Sequence, residues 1–153
     1  MATYDFVEYP EGELYRRLLK CAQSFCTQLS IVLRDGIPLE DAACLVVDAL
    51  DTQLIERRAT DSWPGTILHD SEAEVRRYQF DEFTYQVIVE SSASLFDWVQ
   101  PHLPEDPCLY RPDGSTWLVT IAHEEDAYLE LAPSELAALN RLVPDLRIAL
   151  RSG

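Results

Sequence analysis

The chain predicts an α+β domain, with helices packed on one face of a small, mostly antiparallel sheet that contains a C-terminal meander. Three observations lead there. Apolar residues recur at three- and four-residue spacing in the N-terminal third, as on helices with one buried stripe. An Asp-Gly pair in "PDGS", residues 112–115, lies between two apolar runs and marks a hairpin. Apolar and polar residues then alternate over 127–131 and 146–150, the period of half-buried strands. A length of 153 residues, 47% of them hydrophobic, is one ordinary domain with a substantial core.

Taken in order, Leu14, Leu18, Cys21, Phe25, Leu29 and Val32 predict a helix over 11–33. Asp35-Gly36 breaks it. Pro38 suits a first helical position, and Leu39, Ala43, Val46, Val47, Leu50 and Leu54 carry a second stripe. Glu40 and Asp41 at its start and Arg57 and Arg58 at its end match the helix dipole. Cys44 lies beside this stripe and reads as a small buried thiol.

"SWPGT", residues 62–66, is a turn, because Pro presets φ and the following Gly accepts the positive φ of a type II turn. Short strands are expected over 66–68 and 75–80. Asp81 is an N-cap for a third helix, with Phe83, Val87, Leu95, Trp98 and Val99 on its apolar side as far as Pro101. The three prolines of "PHLPEDP", residues 101–107, make that stretch irregular. Residues 108–111 and 116–121 form the hairpin, and "AHEED" turns the chain into a third strand. A short helix over 133–142 and an edge strand through Leu146, Ile148 and Leu150 complete the domain, 1–153, without a linker or a repeat.

The net charge of −15 excludes some partners and favours others. Fourteen acids lie in residues 1–75 and thirteen in 76–153, so the acidity covers the domain and is not a tail. Such a surface repels nucleic acid and anionic lipid, whose binding depends on basic patches, and it suits a basic protein. Solubility alone is the plain alternative. Residues 1–13 show no basic n-region and no apolar h-region, and the longest uncharged run, 21–33, is too short and polar to cross a bilayer, so a cytoplasmic protein is expected. The four cysteines then read as reduced thiols, without C-x-x-C or zinc-ribbon spacing.

No catalytic template is present. There is no G-x-S-x-G elbow, and the five glycines form neither a P-loop nor a dinucleotide-binding pattern. No cofactor is implied. The one constellation is "HEED", His123, Glu124, Glu125 and Asp126, where an apolar run ends in a histidine and three acids. In a functional reading His123 and Glu125, joined by His69, His102 or another acid, bind a metal or share a proton, which needs about three converging ligands. In a structural reading His123 ends a strand at the sheet rim and the acids are a solvated turn. Neither H-x-H, H-x-x-x-H nor H-E-x-x-H spacing supports the first. Trp63, beside the Pro-Gly turn, is the aromatic most suited to exposure and partner contact, although a Trp packed over its own turn is the commoner arrangement.

The pieces "WPGT" at 63–66, "DWVQPHLPEDP" at 97–107 and "YRPDGSTWLVTIAHEEDAYLEL" at 110–131 together resemble a group of small acidic bacterial proteins. That group carries W-x-x-P-x-L-P-E-D and R-x-D-G-x-x-W-L-x-T-x-x-H-E, is sometimes labelled as sporulation proteins, and resembles immunity proteins in general character. Pro107 departs from the Leu expected after "LPED". The resemblance implies that Trp98, Pro101, Pro104, Trp117, His123 and Glu124 recur together and assigns them no role. The expected function is a non-enzymatic acidic protein-binding domain, immunity- or antitoxin-like, for a basic toxin or nuclease. The alternative is a small metal-dependent enzyme or ligand-binding protein centred on His123, with Trp63, His102, Glu124, Glu125 and Asp126 as further candidate residues. A homodimer formed through a sheet edge is a third possibility.

Overall fold

A computed structural model describes residues 1–152. Its strands are β1 (Ala2–Phe6), β2 (Gln28–Arg34), β3 (Leu54–Thr60), β4 (Ser62–Trp63), β5 (Thr66–Ile67), β6 (Ala73–Gln79), β7 (Glu105–Tyr110), β8 (Thr116–Ile121), β9 (Asp126–Leu131) and β10 (Ile148–Leu150). Its helices are α1 (Glu13–Ala22), α2 (Asp41–Asp51), α3 (Glu82–Ser91) and α4 (Pro133–Leu142). The fold is α+β. Eight strands form one antiparallel sheet in the order β10-β1-β9-β8-β7-β2-β6-β3, and β4 pairs with β5 in a separate ribbon.

The sheet is larger than the sequence suggests because residues 2–6, where no element is expected, form β1, and because two expected helices end early and release strands. The helix expected over 11–33 stops at Ala22, and residues 28–34 become the central strand β2. Leu29 and Ile31 face the helices while Ser30 and Val32 face the other side, and all four are buried. A strand buried on both faces is a continuous apolar run, which also satisfies a helical stripe over a few residues. Likewise the second helix ends at Asp51, and Leu54, Arg57 and Arg58 belong to the edge strand β3. Cys44 is exposed on α2, not buried.

Asp81 caps α3 as expected: its Oδ1 accepts the Thr84 N–H and Thr84 Oγ1 accepts the Asp81 N–H, both at 2.9 Å. The helix ends at Ser91 and does not reach Pro101. Ser91 and Ser92 hydroxyls donate back to the Val87 and Ile88 carbonyls, a local competition that closes the helix. The buried side is Thr84, Tyr85, Ile88 and Val89, with Val87 half-buried at the edge of the core, whereas Phe83, expected on the apolar side, is exposed.

The strands β8 and β9 and the helix α4 lie where the sequence placed them, β10 is confined to Ile148–Leu150, and β7 begins at Glu105, so the last three residues of the stretch expected to be irregular, 105–107, are strand. Helices cover one face of the sheet over a core that includes Tyr15, Leu18, Leu29, Trp98, Trp117 and Leu129. On the opposite face Trp63 from the small ribbon closes over Val32, Ala73 and Val75. Gly65 makes that approach possible. Its φ is +87°, and a Cβ there would lie 2.8 Å from Ile121 Cγ1. No helix among the described residues is long and apolar enough to cross a membrane.

Candidate functional site

The ribbon's closure brings three separated pieces of sequence to one corner of the sheet: "WPGT", the end of "PHLPED" and the "AHEED" turn. The centre is a bulge where β7 meets β2. Ser30 pairs with Cys108 and Val32 with Glu105, so Asp106 and Pro107 together oppose Ile31 alone. Asp106 takes φ +53°, a left-handed conformation that costs a side-chain-bearing residue about 1–2 kcal/mol and that Asp tolerates better than most.

Two hydrogen bonds hold it there. Asp106 Oδ2 accepts the Trp63 indole N–H and Oδ1 accepts the Ala122 backbone N–H, each at 2.9 Å. Both oxygens are satisfied in a residue that is almost fully buried. Trp63 is therefore buried and anchored, the commoner of the two arrangements open to it, and is not an exposed contact residue. A buried indole needs an acceptor, and Asp106, 43 residues away, supplies it.

Glu105 lies next to it, buried, with Oε2 accepting the Gln100 N–H at 3.2 Å. Its Oε1 is 2.9 Å from Arg34 Nε, yet the angle is not that of a hydrogen bond, and Arg34 Nε has no directed acceptor. Burial raises the Glu105 pKa above the ordinary carboxylate value, and the attraction of Arg34 offsets only part of this. Arg34 also lies 5.5 Å from the Trp63 ring centre, in cation–π range, and its Nη2 is 3.5 Å from His123 Nδ1.

His123 stands at the outer rim, in a short 3-10 turn over Ala122–Glu124. One donor atom each from Glu105, Asp106 and His123 lie within 4.8 Å of one another, and this is the group best placed to hold a metal among the described residues. The donor types suit a divalent ion. Against that, Asp106 has both oxygens engaged and the Arg34 guanidinium already places a positive charge beside Glu105.

The other candidate residues fall apart from this group. His102 is exposed, with Nδ1 3.1 Å from Glu40 Oε1. His69 is exposed as well. Glu124 and Glu125 are exposed in the turn, Glu124 Oε1 3.8 Å from His123 Nε2 and Glu125 at φ +52°. Asp126 begins β9 and lies 3.9 Å from Arg151. "HEED" is thus a tight turn into a strand with His123 beside two buried acids. Sequence reasoning missed Arg34, Gln100, Glu105 and Asp106. The only signal was their proximity to prolines and to the "LPED" motif, since the bulge that joins them to His123 is long-range.

No family model, curated protein or solved structure matches this chain.

Proposed function

We propose that this chain is a non-enzymatic acidic protein-binding domain, immunity- or antitoxin-like in character, whose partner presents a basic surface. The observation that carries this reading is an acidic turn anchored on a buried polar group. The Ala122 N–H is tied to Asp106, and the exposed carboxylates of Glu124 and Glu125 follow directly. A turn ordered in advance loses less entropy on binding than a mobile one.

The charge layout supports it. Eight of the twelve basic residues lie within 4.0 Å of a carboxylate, among them Arg34, Arg76 and Arg111, which are largely buried. Only nine of the twenty-seven acids have such a partner among the described residues, so eighteen stay uncompensated. Helices α2 and α3 together carry five acids and no basic residue. The partner's approach is then steered by charge and weakened by salt.

The test is a tagged pull-down at about 50 mM and about 500 mM salt, a range over which screening shortens to a few Å. A basic protein retained at low salt, and lost when Glu124 and Glu125 are both replaced by Lys, is the expected result. Absence of any basic protein at low salt defeats the reading.

A second reading rests on the three donors around His123: a metal-dependent enzyme or ligand-binding protein. Titration with Zn²⁺ or Mn²⁺ decides it. One tightly bound ion per chain, lost in His123→Ala, supports the second reading, and no stoichiometric binding disposes of it.

A further inference from the structure

The edge strand β3 is the one long element of the sheet with nothing over it: all of Leu54 to Ala59 is exposed and Thr60 is half-exposed. Its opposite number at the other edge, β10, has three residues. We propose that β3 is a self-pairing edge, joining two copies of this chain in one continuous antiparallel sheet about a twofold axis through Arg57.

The register follows from symmetry and charge. A twofold axis perpendicular to the sheet places residue i opposite residue j of the second copy, with i + j constant and both side chains on one face. The constant must therefore be even within the regular part of the strand. Centring on Glu56 sets Glu56 against its own copy, and centring on Arg58 does the same for Arg58. Centring on Arg57 instead puts Glu56 opposite Arg58 twice, once on each side of the axis. Opposite charges directly across a strand pair attract, and like charges repel.

The remaining contacts are compatible with this arrangement. Arg57 meets its own copy at the axis, but each Arg57 is already bonded to Glu74 of its own chain, Nε to Oε1 at 2.7 Å. Ile55, 42% exposed, comes beside Ala59 near the β3 irregularity between Leu54 and Glu56. Charge at a sheet edge commonly prevents association. Here Glu56 and Arg58, two apart on one face, carry opposite signs, so that one register is favoured and its neighbours are not.

Self-association of a chain carrying −15 also needs a place where repulsion is least, and β3 with its neighbour β6 is that place. Arg57, Arg58, Arg76 and Arg77, four of the twelve basic residues, lie on these two strands against Glu56 and Glu74. This inference is independent of the acidic-partner reading, because the surface it uses is locally basic.

Sedimentation velocity over a concentration series up to about 500 µM tests it, since an interface of one strand pair is small and should dissociate in the micromolar range or above. A mass approaching twice that of the chain is expected for the wild type. Arg58→Glu and Glu56→Arg alone should each weaken the dimer by about tenfold or more, because each sets like charges opposite each other. The double variant Glu56→Arg/Arg58→Glu should restore it. Glu56 and Arg58 are both solvent-exposed, and circular dichroism checks that each variant is folded. A wild type that stays monomeric overturns the proposal and leaves the edge to a foreign strand. A dimer indifferent to both single reversals, or single variants that the double does not rescue, overturns it equally.

Discussion

Arg111–Glu135 and Arg34–Glu105 are both Arg–Glu pairs set into the sheet's ends, and they are built differently. Arg111 grips Glu135 with two nitrogens, Nε to Oε2 at 2.9 Å and Nη2 to Oε1 at 2.7 Å, and donates to the Thr116 and Glu130 carbonyls besides. Glu135 Oε1 in turn accepts the Ala132 N–H at the start of α4. Burial opposes the charge of Glu135, yet the Arg111 and Ala132 hydrogen bonds outweigh it, and its pKa falls below the ordinary value. Arg34 Nε lies 2.9 Å from Glu105 Oε1 but off-angle, without a hydrogen bond, and the Glu105 pKa rises. The lesson is that burial and residue type do not decide what an ion pair does; the completeness of its hydrogen bonding does. The first pair staples the β7–β8 hairpin to β9 and α4. The second leaves unspent polarity at the corner where His123 and the acidic turn emerge.

The contrast breaks most visibly at Arg111. Arg111→Met strands a buried carboxylate and two carbonyls, and should cost about 3–5 kcal/mol in urea unfolding. Asp106→Ala comes next, at about 2–4 kcal/mol, because the Trp63 indole N–H and the Ala122 N–H lose their acceptor in a buried place. Arg34→Met should cost less than about 2 kcal/mol, since Glu105 can take up a proton when its weak partner is removed. Equal losses at Arg111 and Arg34 would erase the distinction.

The smallest effect is in pH dependence, and its sign differs between the two pairs. Glu105 has a raised folded pKa, so its contribution is fully present below the unfolded value of about 4.3 and is lost as pH rises through the folded value. Glu135 has a lowered one, so its contribution is present above about 4.3 and is lost as pH falls through the folded value. Denaturant midpoints followed from pH 3 to pH 7 should show Glu105→Gln gaining on the wild type as pH rises, and Glu135→Gln losing ground.

Much of the fold was legible because local chemistry wrote it. Asp-Gly at 113–114 set the hairpin, Asp81 set a helix start, and Pro133 opened α4 where the stripe begins. What failed was the reading of β2 and β3. The first is buried on both faces, with Val32 following Ile31 and thereby breaking the alternation, and the second is exposed on both, so neither shows the clean pattern that identifies a half-buried strand. The site was half legible. His123 and its acids drew attention as a motif, but their setting is made by contacts such as Trp63 to Asp106 and Arg34 to Glu105, separated by 43 and 71 positions. Arg111 was passed over because its partner Glu135 is 24 residues on, beyond the two strands β8 and β9.

The central claim is that the two buried pairs serve different ends, one closing the fold and the other left incomplete beside the acidic turn. Residue-resolved NMR titration of the Glu105 and Glu135 side-chain carboxyl carbons tests it most directly. Glu135 is expected to titrate below, and Glu105 above, the ordinary glutamate value of about 4.3. Both midpoints on the same side of that value would contradict the claim.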